Sequence, residues 1–140
     1  MYSSYHELTD RYNEYDGVVN VYYLNEILRD SESIEIDNRL SDIIKLGLEY
    51  YETTNGLFNV ASGNLTMIWK NFIDNCDSVP RELNVNTNIS DIVLEENIYT
   101  KYNGVRLDLG GIAKGYVTEI VGNYLEESGI DSYIINAGGN

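Results

Sequence analysis

The sequence of 140 residues contains one cysteine, one histidine and one proline, and the first two shortages exclude classes of site. A single cysteine, Cys76, cannot form an internal disulfide or hold a metal ion by itself. His6 is the only histidine and lies in the first predicted helix. We therefore expect neither a zinc site nor a Ser-His-Asp triad among these side chains.

Basic residues are scarce as well. Nine Lys and Arg against 23 Asp and Glu give a formal net charge of −14, which disfavours binding to nucleic acid and to anionic membrane surfaces. Any phosphate ligand must therefore be held by local donors or by a metal. No stretch approaches the roughly 20 apolar residues of a membrane span, and the first seven residues lack the basic segment and apolar run of a signal peptide.

The residues present predict one α+β domain spanning 1–140. Apolar residues at spacings of three and four predict helices over about 3–15, 21–28, 38–54, 64–72 and 112–127. From residue 91 the apolar period changes to two, which predicts a small antiparallel meander with its last strand at 105–109, and a further strand at 133–135. We expect helices packed on a small, mainly antiparallel sheet.

The stretch 105–116 carries the main candidate site. An alternating strand ends at Gly110-Gly111, and a helix follows with Lys114 in its first turn. Unpaired N–H groups at a helix start favour an anion, and glycines let a ligand approach the backbone, so the layout suits a phosphate or pyrophosphate. The alternative is a tight turn that needs glycine only for its backbone. The spacing matches neither the P-loop nor the dinucleotide-binding fingerprint.

Three further features bear on this site. Asp108, at the strand end, would either accept a hydrogen bond from a ligand or cap the following helix. The second pair, Gly138-Gly139, would either line the opposite side of a cleft or form an ordinary turn. Most of the 13 tyrosines lie on apolar helix stripes, and Tyr15 is the one that we predict to stack on a ligand.

Four motifs in order resemble those of the ApbE-type flavin transferases. In chain order they are YLN at 23–25, TNGLFN at 54–59 followed by Gly63 and Trp69, LDLGGIAKGY at 107–116, and NAGGN at 136–140. The resemblance implies an ApbE-like domain related to the T-fold. It also implies an enzyme that splits FAD with Mg²⁺, transfers the FMN half to a threonine or serine of an acceptor protein, and releases AMP.

The resemblance also implies roles for individual residues. Asp108 and Lys114 would contact FAD, the carbonyl oxygen of Gly111 would bind the metal, Tyr15 would pack on the cofactor, and Leu57, Phe58 and Asn59 would line the flavin site. Asn59 stands where the family usually has aspartate. No catalytic residue is expected in this chain, because the family's general-base histidine and its other metal ligands lie downstream of the second glycine pair.

We accordingly expect an incomplete domain, equivalent to roughly the first half of such an enzyme and inactive alone. Family members are commonly membrane-anchored lipoproteins of the cell envelope, although no lipobox is present here. Two other hypotheses remain open at this point. One is a flavin-binding module without transfer chemistry, and the other is an incomplete domain that pairs with itself through exposed strand edges.

Overall fold

The computed structural model describes residues 2–75 and 83–137. Within them, the helices are α1 (Tyr2–Thr9), α2 (Asn38–Thr53), α3 (Gly63–Asn75) and α4 (Ala113–Glu127), the strands are β1 (Ser33–Glu35), β2 (Ile92–Glu95) and β3 (Ile98–Lys101), and shorter π and 3₁₀ turns lie at Tyr23–Ile27, Val60–Ser62 and Ile89–Asp91. None of the helices in this part of the chain is both long and apolar enough to cross a membrane.

The three strands form one antiparallel sheet in the order β1-β3-β2. Tyr99 of the central strand lies opposite Ile34 on one side and Leu94 on the other. α1 packs against α2 and α4. The core contains fully buried side chains from helical and from extended segments, among them Leu24, Leu40, Ile43, Ile44, Val60, Tyr99, Val105 and Leu107. The predicted α+β class is confirmed.

Local signals fixed the two long helices. The carboxylate of Asp37 accepts a hydrogen bond from the Arg39 N–H at 2.9 Å and so caps α2, as an N-cap aspartate does. α4 ends shortly before Gly129, whose φ of +79° is the left-handed conformation of a helix C-terminus. The β2–β3 hairpin also forms where the alternation predicted it.

The prediction of a third meander strand at 105–109 is wrong. This segment is extended and buried, with Val105, Leu107 and Leu109 at most 1% exposed, but it pairs with no strand in the described residues, and β1 takes the third place in the sheet. Alternation reports which side chains are buried. It carries no information about which backbone groups they pair with.

The amide of Asn25 replaces the missing strand partner of this segment. Its Nδ2 donates to the Leu107 carbonyl oxygen at 2.9 Å, and its Oδ1 accepts from the Leu107 N–H at 2.8 Å. The buried ammonium of Lys101 donates to the Asn25 carbonyl oxygen at 3.0 Å. Asn25 thus satisfies both backbone groups of a fully buried residue, which burial would otherwise leave unpaired at considerable cost.

Backbone contacts complete the support of the segment. The Gly63 N–H donates to the Arg106 carbonyl oxygen at 3.0 Å, and the Asp108 N–H donates to the Val60 carbonyl oxygen at 2.8 Å. A Cβ at Gly63 would lie 2.7 Å from the Arg106 carbonyl oxygen, so only glycine permits this close approach. The segment that leads into Gly110 is therefore held between two helical turns.

Two other predictions are corrected at the ends of the chain. α1 ends at Thr9 instead of near residue 15, because the Asp10 carboxylate binds the N–H groups of Tyr12 and Asn13 and so competes with the helix. Residues 133–135 form no strand, and Ile134 is 97% exposed. Gly138-Gly139 lies outside the described residues.

We predict that Asn25→Asp lowers the free energy of unfolding by about 3 kcal/mol, because a carboxylate would face the Leu107 carbonyl with no proton to donate. Urea denaturation at pH 7 measures the loss. Asn71→Asp is the matched control, since it adds the same charge at an exposed side chain on α3. Equal stability of the two variants would contradict the assigned role of Asn25.

Candidate functional site

Asp108 lies at the junction between the extended segment and α4. Its side chain is only 12% exposed, Oδ2 forms an ion pair with Arg11, and Oδ1 accepts from the Gly110 N–H at 2.9 Å. The N-cap residue of α4 is Ile112, and no side chain caps that helix. Asp108 therefore caps the Gly110 turn, and its alternative role as the cap of α4 is not what the structure shows.

Neither Gly110 nor Gly111 has a positive φ, but a side chain at either position would crowd a neighbouring side chain. A Cβ at Gly111 would lie 3.0 Å from the Phe58 ring, and one at Gly110 would lie 3.1 Å from the Asp108 carboxylate. Both glycines are exposed. Their backbone is consequently open to a ligand. A turn that needed glycine only for its backbone conformation would not have to be exposed in this way.

Several backbone groups of this turn have no partner. In the described part of the chain, the N–H groups of Gly111, Lys114 and Gly115 donate to no acceptor, and the Gly111 carbonyl oxygen accepts no hydrogen bond. Lys114 is exposed and forms none of the ion pairs among residues 2–75 and 83–137. N–H donors at a helix start beside a free ammonium group are the kind of groups that bind an anion, and here they lie in an otherwise acidic chain.

One cleft, of about 370 Å³, lies on the Phe58 side of the turn. It is lined by Leu57, Phe58, Asn59, Ser62, Leu65, Thr87, Asp108 and Gly111. The Phe58 ring packs edge-on against Tyr50 with centroids 5.8 Å apart, and Leu57 is 92% exposed. The structure thus brings together five residues that the sequence selected from two segments about 50 positions apart.

Asn59 uses both ends of its amide within the protein. Oδ1 accepts from the Ala61 N–H at 2.8 Å and caps the 3₁₀ turn, while Nδ2 donates to the Thr87 carbonyl oxygen at 2.9 Å. An aspartate could make the first contact but not the second. The Asn59 amide therefore connects the cleft, through the Thr87 carbonyl oxygen, to the segment that precedes β2.

A second cleft, of about 400 Å³, opens on the other side of Asp108. It is lined by His6, Thr9, Asp10, Arg11, Tyr12, Asn13, Asp108 and Gly110. Asp10 holds its wall by accepting from the N–H groups of Tyr12 and Asn13, the Asn13 amide and the Tyr15 hydroxyl. Burial opposes ionisation of Asp10, but these hydrogen bonds outweigh it and lower the pKa of its carboxyl below the ordinary value.

Arg11 and Tyr12 line the second cleft but were not predicted from the sequence. The Arg11 guanidinium lies 4.8 Å from the centroid of the Tyr12 ring, which is 52% exposed. Tyr12 lines the second cleft, whereas the Tyr15 hydroxyl is bound to Asp10 at 3.0 Å. The assignment of Tyr15 to the cofactor stays a prediction. The available signal was Arg11 itself, one of nine basic residues in a strongly acidic chain.

Lys114 lines a third, smaller cleft of about 180 Å³ together with Tyr2, Tyr5, His6, Thr9, Gly110, Ala113 and Val117. The three clefts meet around the turn from Asp108 to Lys114. Among the described residues, no group of three or more His, Cys, Asp or Glu side chains could hold a metal ion. The free carbonyl of Gly111 suits a hard cation such as Mg²⁺ but supplies one oxygen ligand only.

Comparison with known proteins shows which family the chain belongs to. A family model described as the ApbE family matches residues 1–140. The chain belongs to the ApbE family. It is 32% identical over 91 residues to an FAD:protein FMN transferase of Klebsiella pneumoniae, an alignment that covers 59% of this chain and 28% of the relative. It is 28% identical over 117 residues to one of Vibrio cholerae, with 78% and 35% covered.

Solved ApbE structures share the fold. A mutant of the flavin transferase ApbE from Vibrio cholerae superposes with a TM-score of 0.77 at 21% identity, covering 98% of this chain and 46% of that one. The ApbE protein from Thermotoga maritima gives 0.66 at 23% identity, covering 88% and 41%. The chain therefore spans less than half the length of the relatives it matches, and the described part is a partial ApbE-like domain.

We predict that Asn59→Asp lowers the free energy of unfolding by about 1 kcal/mol, because the Thr87 carbonyl loses its donor. Asn88→Asp is the matched control. Asn88 also caps a 3₁₀ turn, through the Ser90 N–H, and that contact survives in a carboxylate. Urea denaturation compares the two variants, and an Asn59→Asp protein as stable as the control would contradict the assignment.

The lowered pKa of the Asp10 carboxyl makes the stability of the fold depend on pH. A carboxyl whose folded pKa lies below the unfolded value of about 3.9 stabilises the fold above that value and loses this contribution as pH falls through the folded pKa. Asp10→Asn should therefore cost about 2 kcal/mol at pH 7, and the difference from the unaltered chain should shrink below about pH 4. A difference independent of pH in urea denaturation would contradict this.

Proposed function

We propose that this chain provides the flavin-facing part of an FAD:protein FMN transferase. In this proposal the enzyme is Mg²⁺-dependent, transfers FMN from FAD to a threonine or serine hydroxyl of an acceptor protein, and releases AMP. The names of the relatives support the enzyme class. The observation that carries the proposal is the set of unpaired N–H groups at Gly111, Lys114 and Gly115 beside the two larger clefts.

The turn from Asp108 to Lys114 would bind the pyrophosphate of FAD. Three N–H donors and the Lys114 ammonium point to an anion at the start of α4, and exposed glycines allow its oxygens to reach the backbone. A chain of net charge −14 has no long-range attraction for such a ligand. Binding must therefore depend on these local donors.

The flavin ring would occupy the cleft beside Phe58. That cleft combines the half-buried Phe58 ring, the exposed side chain of Leu57 and the amide of Asn59, a mixture of apolar surface and few polar groups that suits a planar heterocycle. The Asp108 carboxylate borders both this cleft and the one beside Arg11. A dinucleotide lying across the turn would contact both clefts.

Mg²⁺ would neutralise charge that develops on the phosphoryl group during transfer. From this chain the Gly111 carbonyl oxygen would hold it, as one of the several oxygen ligands that a hard cation needs. The acceptor hydroxyl replaces AMP at the phosphorus of the FMN half, and its proton must pass to a base. We assign no catalytic residue to this chain.

Flavin fluorescence tests the proposal by titration of FAD against the chain with and without Mg²⁺. We expect saturable binding that weakens about tenfold in Lys114→Met, since one charge-assisted phosphate contact is lost. Lys45→Met is the control, because it removes the same charge from an exposed position on α2. Absence of FAD binding by the unaltered chain, or equal affinity of the Lys114 and Lys45 variants, would contradict the proposed site.

Incubation with FAD, Mg²⁺ and an acceptor protein separates the enzyme from the alternative, a flavin-binding module without transfer chemistry. Covalent flavin on the acceptor, visible by fluorescence after denaturing electrophoresis, reports transfer. We expect no transfer by this chain alone and transfer once the rest of an ApbE domain is supplied. Transfer by the 140-residue chain alone would contradict its expected inactivity, and binding that never leads to transfer in either case would favour the alternative.

A further inference from the structure

Arg11 connects three parts of the site through one side chain. Its Nη1 donates to Thr66 Oγ1 on α3 at 2.9 Å and forms the ion pair with Asp108 Oδ2, and its Nη2 donates to the Tyr12 hydroxyl. These partners belong to the loop after α1, to α3 and to the turn before α4. A planar guanidinium with five donors can hold all three at once, whereas a lysine ammonium offers a single point of attachment.

Both oxygens of Asp108 are engaged as a result. Arg11 holds Oδ2, and the Gly110 N–H donates to Oδ1. The orientation that Arg11 imposes on the carboxylate is therefore the orientation that fixes the Gly110 N–H. Gly110 is exposed, so few other contacts restrain its backbone.

The charge of Arg11 matters as much as its shape. Asp108 borders both clefts around the turn, and its negative charge would repel a pyrophosphate bound at Gly111 and Lys114. The Arg11 side chain is 27% exposed and Asp108 only 12%, so the pair is only partly screened by solvent. A guanidinium in direct contact with the carboxylate offsets this repulsion.

We infer that Arg11 is a positioning residue of the proposed FAD site, which sets the Asp108 carboxylate and through it the Gly110–Gly111 turn for an anionic ligand. The inference rests on the proposed function for the identity of the ligand. The positioning itself is a property of the ligand-free chain. It adds to the site a residue 97 positions away from Asp108.

Amide hydrogen exchange of Gly110, followed by NMR, tests the positioning without any ligand. Arg11→Met keeps a side chain of similar length and removes the charge and donors. We expect about tenfold faster exchange at Gly110 in Arg11→Met, an intermediate rate in Arg11→Lys, and an unchanged rate in the charge-matched control Lys45→Met. Thermal midpoints of all three variants identify any general loss of stability. An unchanged Gly110 rate in a folded Arg11→Met protein would overturn the inference.

A double-mutant cycle tests the effect on the ligand. FAD affinity is measured for Arg11→Met, Asp108→Asn and the double variant, relative to the unaltered chain. We expect Arg11→Met to weaken binding about tenfold, and the double variant to bind no more weakly than Asp108→Asn, because Arg11 acts through Asp108. Additive losses would overturn the inference, since Arg11 would then contribute independently of Asp108.

The two measurements distinguish the failure of this inference from that of the proposed function. If the unaltered chain binds no FAD, the proposed function fails, and the Gly110 exchange rates still decide whether Arg11 positions the turn. If FAD binds but Arg11→Met leaves both affinity and exchange unchanged, the proposed function stands and the role of Arg11 is refuted. Partial recovery of affinity in Arg11→Lys supports a positional effect that depends on charge.

Discussion

The two hydrogen bonds between the Asn25 amide and the backbone of Leu107 are the interaction on which the site depends. Leu107 is fully buried and pairs with no strand in the described residues, so its N–H and C=O would otherwise be left unsatisfied in the core. One asparagine side chain supplies both partners. This fixes the segment that delivers Asp108 and the glycine pair to the start of α4.

From this fixed segment the site is assembled by contacts that are distant in sequence. Asp108 pairs with Arg11, and Gly111 permits the close approach of Phe58. The Asp10 carboxylate shapes the loop that presents Arg11. None of these contacts uses the backbone N–H groups of Gly111, Lys114 and Gly115, which have no acceptor in the described part of the chain.

The sequence predicted the elements whose signals are local. Helices α2 and α4, the cap at Asp37 and the β2–β3 hairpin form where periodicity and turn residues placed them. Positions 105–109 were assigned to the sheet wrongly, because a buried extended segment has the same alternation whether a strand or an asparagine side chain satisfies its backbone.

Some residues of the candidate site were predictable from the sequence, and others became visible only in the structure. Motif resemblance selected Asp108, Gly111, Lys114 and the Phe58 segment, and the structure brings these residues together around one turn. Arg11 escaped prediction because its role depends on a partner 97 residues away. Tyr12 escaped it because α1 ends early, at Thr9. Membership of the ApbE family accounts for the motifs, while the arrangement of charges accounts for how they would hold a ligand.

A crystal structure of the protein with FAD and Mg²⁺ would show directly whether the start of α4 binds the pyrophosphate. We expect pyrophosphate oxygens about 3 Å from the N–H groups of Gly111, Lys114 and Gly115, the flavin ring beside Phe58, and an intact Arg11–Asp108 pair. A pyrophosphate bound away from the start of α4, with those N–H groups still unpaired, would contradict this expectation.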